Sequence, residues 1–145
     1  MKALVQRVSS ASVSVDGELV GEIGPGLVVL VGVGRGDSEQ QAAKLAAKVA
    51  RLRVFDDGDG RMDRSLVDTG GGALCISQFT LYGDTRRGLR PSFTEAAEPA
   101  AGERLYDHFC NALEECDVAV AKGVFGARMS VDLVNEGPVT LLLEA

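Results

Sequence analysis

The residues of this chain whose types and spacing suit chemistry lie mainly in two short polar segments. The first, Ser77-Gln78-Phe79-Thr80, comes at the end of a predicted central strand, Ala73 to Leu81, that has apolar residues on both faces. A buried amide or hydroxyl group without a partner costs about 1–3 kcal/mol. Polar residues at the end of such a strand therefore indicate either the floor of a pocket or a satisfied internal hydrogen-bond network.

The second polar segment, Asn135 to Thr140, lies near the C-terminus between two predicted strands. It contains Gly137-Pro138, and these two residue types are typical of a turn, since glycine permits a positive φ and proline fixes φ near −65°. Taken alone, this segment predicts a turn and nothing more.

Side chains of the usual catalytic kinds are scarce in this sequence. The only histidine, His108, falls in a predicted helix, and nothing places it beside a nucleophile. The three cysteines and the carboxylates lack metal-ligand spacing, so we expect no metal and no cofactor. Catalysis by this chain would have to use hydroxyl groups, backbone N–H groups or a group of the substrate itself.

The elements that must position these segments form an α+β pattern. The chain opens as a meander of three strands, with turns at Asp16-Gly17 and Gly24-Pro25-Gly26. A first helix is predicted to begin at Asp37 or Ser38, and a second to run from Pro99 to about Glu115. We expect one domain over residues 1–145, an antiparallel barrel-like β-sheet assembly with two helices packed outside, and irregular chain from residue 62 to residue 72.

Composition narrows the class of protein. A length of 145 residues and a hydrophobic content of 46% predict an ordinary globular domain. The net charge of −6 argues mildly against binding along the length of a nucleic-acid duplex. Arg86, Arg87 and Arg90 nevertheless cluster in one loop directly after the first polar segment. We expect a cytoplasmic protein with reduced thiols, because no apolar run reaches the roughly 18–20 residues that span a bilayer.

Together the two polar segments resemble a known family. Ser77-Gln78-Phe79-Thr80-Leu81 and Asn135-x-Gly137-Pro138-x-Thr140 are similar to the two signature motifs of D-aminoacyl-tRNA deacylases of the bacterial and eukaryotic type. The resemblance covers nearly the whole chain, including residues 5–8, 86–93 and 123–127. It implies hydrolysis of the ester that joins a D-amino acid, or glycine, to the terminal ribose of tRNA.

The resemblance also implies roles for the residues of the first motif. Backbone N–H groups around Phe79 and Thr80 would stabilise the tetrahedral oxyanion, while Ser77 and Gln78 would shape the oxyanion and adenosine sites. The ribose 2′-OH would help to activate or position water. In the alternative mechanism Thr80 is a covalent nucleophile, although no base is apparent in the sequence.

For the second motif, the resemblance implies a cis Gly137-Pro138 bond that reaches across a homodimer interface and leaves no space for an L side chain. Asn135 and Thr140 would hold this loop, and the implied substrate-binding set also includes Arg7 and Met129. Arg86, Arg87 and Arg90 would contact tRNA, so the expected partners are D-aminoacyl-tRNA, glycyl-tRNA and a second copy of the chain. Two other functions stay open: a non-catalytic module that binds the tRNA end, and an amidohydrolase acting on small molecules through Thr80.

Overall fold

The fold is a strongly curved mixed sheet with helices packed on its outside. The computed structural model describes all 145 residues. The elements in chain order are β1 (Lys2–Val15), β2 (Glu18–Ile23), β3 (Gly26–Gly32), α1 (Glu39–Arg51), β4 (Phe55–Asp56), β5 (Met62–Arg64), α2 (Leu66–Thr69), β6 (Gly72–Ser77), a 3-10 helix (Phe79–Tyr82), α3 (Pro99–Glu115), β7 (Ala119–Lys122) and β8 (Ser130–Glu144). The α+β class and the barrel-like sheet expected from the sequence are confirmed.

Strand β1 organises the sheet because both of its edges are paired. Along one edge its first half pairs with β3 and its second half with β2, while β8 runs antiparallel along the other edge. Beyond β3 the sheet continues through β6 to β7. The free edge of β2 comes close to β7, since a Cβ atom on Gly21 would lie 2.9 Å from the carbonyl oxygen of Lys122. The sheet is therefore nearly closed into a barrel.

The expectation of a purely antiparallel sheet is wrong for β6 and β7, which pair in parallel with β3 and with each other. Parallel neighbours need long crossover connections. The chain supplies them, because α1 lies in the connection from β3 to β6, and α3 lies in the connection from β6 to β7.

Both long helices begin where the sequence predicted. Ser38 caps α1 through a capping box with Gln41, and Pro99 occupies the first turn of α3. The predicted irregular stretch from residue 62 to residue 72 instead contains β5 and the short helix α2, so the structure has three helices. A local capping box between Ser65 and Asp68 explains α2, which is too short to show helical periodicity.

The core has two parts, one on each side of the sheet. The larger part lies between the sheet and helices α1 and α3. The smaller part fills the inside of the barrel and contains Val8, Ala11, Val13, Val28, Leu74 and Ile76. Residues of β6 alternate between the two parts, with Cys75 in the larger and Ile76 in the smaller, so this strand is buried on both faces. No helix of the fold combines the length and the apolar character needed to cross a membrane.

Strands β3 and β6 meet at an unusually close contact between two glycines. Gly26 pairs with Gly72 at the start of both strands, and a Cβ atom on Gly26 would lie 1.9 Å from the carbonyl oxygen of Gly72. From this contact the pairing continues to Val31 and Ser77. The glycine contact therefore sets the position at which β6 delivers Ser77 and the polar residues after it.

Candidate active site

The first polar segment leaves the sheet earlier than predicted. Strand β6 ends at Ser77, and Phe79 to Tyr82 form a 3-10 helix instead of continuing the strand to Leu81. The N–H of Gln78 still donates to the carbonyl oxygen of Val31 at 2.7 Å, while the N–H of Leu81 donates to the carbonyl oxygen of Gln78 at 3.2 Å. The first N–H groups of a helix have no acceptor within that helix. In this 3-10 helix, these are the N–H groups of Phe79 and Thr80.

The side chains of this turn offer no general base. The side-chain amide of Gln78 donates to the hydroxyl of Thr80, and this is the only side-chain hydrogen bond of Thr80. An amide N–H cannot accept the hydroxyl proton. Phe79 is 57% exposed and packs edge-on against Phe93, with ring centroids 5.0 Å apart. The turn therefore presents backbone donors and an aromatic ring, with Thr80 lacking a group that would activate it.

Two cavities flank Ser77, Gln78 and Phe79. The larger has a volume of about 380 Å³, and its apolar lining includes Val33, Phe93, Tyr106 and Phe125. The smaller has a volume of about 260 Å³, and Met129 and Val131 line it. The structure thus brings Met129, expected in the substrate-binding set, next to the first motif. A ligand bound at the turn would have space for one group on each side.

Tyr106 is a cavity residue that sequence reasoning missed. Its hydroxyl donates to the carbonyl oxygen of Cys75, two residues before Ser77, at 2.8 Å. Burial, followed by the neighbouring thiols of Cys110 and Cys75, raises the pKa of the Tyr106 phenol well above its ordinary value, so the phenol stays a neutral donor. The only signal in the sequence was a tyrosine directly beside the apolar stripe of α3.

The second motif is an excursion from one long strand, not a turn between two strands. Strand β8 pairs with β1 both before and after it, with Asn135 opposite Val8 and Thr140 opposite Gln6. The four residues between Asn135 and Thr140 bulge out of the ladder. The Gly137-Pro138 bond is cis, as the resemblance implied.

Asn135 and Arg7 hold this excursion in place. The side-chain amide of Asn135 donates to the carbonyl oxygens of Arg7 at 2.9 Å and Val139 at 3.0 Å. The buried Arg7 guanidinium donates to the carbonyl oxygens of Glu136 at 3.2 Å and Val54 at 2.7 Å, and it forms an ion pair with Asp56 at 3.5 Å. Arg7 therefore contacts the excursion, and it does not lie with Met129 at the first motif.

The two motifs are far apart within one chain. The excursion lies opposite Arg7, which pairs with Leu27, and Leu27 pairs with Ala73. Ser77 lies four residues further along β6. Strand geometry places the motifs about 13 Å apart along the strands and about 14 Å apart across them. None of the four main cavities is lined by residues of both.

The loop that carries the three arginines runs from Asp84 to Ser92, directly after the 3-10 helix. The N–H of Gly83 donates to the carbonyl oxygen of Thr80 at 2.9 Å, and two backbone hydrogen bonds, of 2.7 and 2.9 Å, join Asp84 to Ser92. Two guanidinium nitrogens of Arg86 donate hydrogen bonds to the Asp84 carboxylate, at 2.9 and 2.8 Å. These hydrogen bonds lower the pKa of the Asp84 carboxyl to about 2. Arg87 and Arg90 are exposed at the tip.

Known proteins resemble this chain over its whole length. The model of the family described as D-Tyr-tRNA(Tyr) deacylase matches residues 4–144. A D-aminoacyl-tRNA deacylase of Cereibacter sphaeroides is 58% identical over 145 residues, which is 100% of both chains. A D-aminoacyl-tRNA deacylase of Dinoroseobacter shibae is 58% identical over 144 residues, covering 99% of each chain.

A solved structure shows the same architecture. The structure of a protein named c-Myc DNA Unwinding Element Binding Protein superposes with a TM-score of 0.93 at 38% identity, covering 100% of this chain and 99% of that chain. The stretch matched by the family model and the stretch aligned with the bacterial relatives both include the 3-10 helix and the excursion of β8. The chain belongs to the D-Tyr-tRNA(Tyr) deacylase family, whose members are hydrolases acting on ester bonds.

Proposed function

We propose that this protein hydrolyses the ester bond of D-aminoacyl-tRNA, releasing the D-amino acid and tRNA, and so removes D-amino acids from the translation machinery of the cytoplasm. The observation that carries the proposal is the pair of backbone N–H groups of Phe79 and Thr80, which start a 3-10 helix between two cavities. One cavity would receive the terminal adenosine, whose flat base suits the apolar walls of the larger space. The other would receive the aminoacyl group.

In this mechanism the two N–H groups stabilise the negative charge on the carbonyl oxygen as water attacks the ester. Losing one donor of this kind typically costs about 2.7–4 kcal/mol of transition-state stabilisation. The ribose 2′-OH beside the ester assists by activating or positioning the water. This role for the substrate is supported by the surroundings of Thr80, whose hydroxyl receives a hydrogen bond from Gln78 and has no base beside it.

A homodimer would complete the site, since one chain holds its two motifs apart. The tip of the β8 excursion, Gly137 and Pro138, is exposed, and the exposed apolar side chains of Val134, Leu141 and Leu142 flank it on the same strand. A second copy that buries these side chains would receive Gly137-Pro138 in its own cavity beside Phe79. Such an arrangement accounts for both the exposed apolar strand and the distance between the motifs.

Chirality would be judged by steric exclusion at this junction. The backbone of Gly137-Pro138, held rigidly by Arg7 and Asn135, would face the α-carbon of the substrate and leave no space for an L side chain. Glycine has no side chain to exclude. Glycyl-tRNA, including glycine mischarged on tRNA-Ala, is therefore a proposed second substrate.

The test compares matched D-Tyr-tRNA and L-Tyr-tRNA, with the purified protein and without it. We expect rapid loss of the D ester while the L ester decays at the rate without protein, and glycyl-tRNA should be hydrolysed as well. Loss of both tyrosyl esters would retain the hydrolase and reject the steric filter. Binding of D-Tyr-tRNA without hydrolysis would reject the reaction itself.

Replacing Thr80 with alanine separates the two mechanisms. Thr80→Ala removes one neutral hydrogen bond, so we expect kcat/KM for D-Tyr-tRNA to fall by no more than about tenfold. Removing a covalent nucleophile instead typically lowers activity by about 10⁴-fold or more. A loss of that size in a variant with wild-type thermal stability would replace the proposed role of the 2′-OH with nucleophilic catalysis by Thr80.

A further inference from the structure

The loop from Asp84 to Ser92 carries three arginines, and the structure divides them into two kinds. Arg86 is occupied, because both of its hydrogen-bonding nitrogens are held by the Asp84 carboxylate and its own N–H donates to the same carboxylate at 2.9 Å. Arg87 and Arg90 are exposed and form no ion pair. Leu89 between them is fully exposed, so the tip of the loop projects into solvent.

The base of the loop packs against the 3-10 helix Phe79–Tyr82. The backbone pair between Asp84 and Ser92 closes the loop, and Phe93 packs on Phe79. Close to the base, Lys2 lies 4.0 Å from Glu144 and the Arg86–Asp84 pair is neutral, while Glu95 adds a negative charge beside that pair. In a chain with a net charge of −6, two free guanidinium groups on a braced loop beside the ester site therefore stand out.

We propose that Arg87 and Arg90 bind phosphodiester groups of the single-stranded 3′ end of the tRNA, and that Arg86, neutralised by Asp84, makes no phosphate contact. The inference rests on the proposed function and deepens it. A guanidinium group recognises phosphate by paired N–H donation, so each free arginine suits one phosphate. Arg86 contributes no net charge to the RNA.

The dependence of binding on salt distinguishes the two roles. A plot of log affinity against log salt concentration has a negative slope, and each phosphate contact on a single strand adds about 0.7 to its magnitude. Arg87→Gln and Arg90→Gln are each expected to reduce this magnitude for deacylated tRNA by about 0.7. Between about 50 and about 200 mM KCl, each variant should then lose about 2.6-fold less affinity than the wild-type protein. Arg86→Gln should keep the wild-type magnitude of the slope, since Arg87 and Arg90 remain and the backbone pair of Asp84 still closes the loop. The freed Asp84 carboxylate should lower the affinity to a similar extent at every salt concentration.

Asp84→Asn gives a change of the opposite sign. The asparagine oxygen can still accept from the Arg86 N–H, but the carboxylate charge is gone and the Arg86 guanidinium is released. The magnitude of the negative slope should increase by about 0.7. Arg51→Gln, which removes an exposed arginine at the end of α1, is the matched control and should leave the slope unchanged.

Hydrolysis of the D-tyrosyl ester of adenosine, a substrate without phosphates, shows whether a variant has damaged the site. Its kcat/KM should stay at the wild-type value in all these variants. If Arg87→Gln and Arg90→Gln behave like Arg51→Gln, the loop does not contact RNA phosphates. If Arg86→Gln reduces the magnitude of the slope as much as Arg87→Gln does, Arg86 also contacts phosphate and the division of the three arginines is wrong. If the wild-type protein hydrolyses neither D-Tyr-tRNA nor the D-tyrosyl ester of adenosine, the proposed function is wrong. The slopes measured with deacylated tRNA would still decide the proposal about the loop.

Discussion

Gly137→Ala should lower kcat/KM for D-Tyr-tRNA by about 100-fold in a protein that stays folded. Gly137 has a φ of +118°, a region that residues with a side chain rarely adopt. An added Cβ atom would lie 2.9 Å from a guanidinium nitrogen of Arg7 and 3.0 Å from a methyl carbon of Val139. Either the excursion or the Arg7 guanidinium that holds it would have to move, and a displacement of about 1 Å near reacting groups can lower a rate by about 100-fold.

Gly17→Ala is the matched control for this variant. Gly17 also has a positive φ, of +80°, but no atom lies within 4 Å of its added Cβ, and it lies in the β1–β2 turn, beyond the end of β1. Both variants carry backbone strain at a positive φ, so both should lower Tm, and Gly137→Ala should lower it more because its Cβ also meets other atoms. Only Gly137→Ala should lose deacylase activity. Equal activity in the two variants would separate the β8 excursion from the reaction.

Gly26→Ala should destabilise the whole fold, with a loss of about 3 kcal/mol or more in the free energy of unfolding. The added Cβ would lie 1.9 Å from the Gly72 carbonyl oxygen and 2.8 Å from its nitrogen, and neither backbone atom can rotate away. Overpacking typically costs about 1–3 kcal/mol and more where the backbone itself must shift. The strands would separate at the start of the β3–β6 ladder.

Thermal unfolding measures this effect, and we expect Tm to fall by about 10 °C. Gly24→Ala provides the comparison, because Gly24 lies two residues earlier and an added Cβ would have no atom within 4 Å. Its Tm should stay close to the wild-type value. A Gly26→Ala protein as stable as Gly24→Ala would show that the close approach of β3 and β6 is not needed.

Local signals in the sequence predicted the elements that they control. The Ser38 capping box and Pro99 define where α1 and α3 begin, because capping depends on residues within one turn. The direction of β6 and β7 was not predictable in this way. Their parallel pairing depends on crossover connections and on partners elsewhere in the chain, which a pattern of alternating side chains does not encode.

The candidate site shows the same division. The residues of both motifs were chosen as candidates from the sequence, through their polar character and a family resemblance. Their separation was not, because it depends on the register of β8, β1, β3 and β6 together. The end of β6 at Ser77 was also missed, since Phe79 and Leu81 continue the apolar alternation of a strand while their backbone turns into a 3-10 helix.

The pairing of β1 with β8 has a consequence for how the protein is made. Their paired residues are more than 100 positions apart in sequence, so β1 leaves the ribosome long before its partner β8 does. At a synthesis rate of about 5–20 residues per second, one edge of β1 stays unpaired for on the order of ten seconds. Contacts between such distant residues also slow folding. A nascent chain can therefore build its β1–β2–β3 hairpins and its helices early, but the Asn135–Thr140 excursion acquires its place against Arg7 only after β8 has been synthesised.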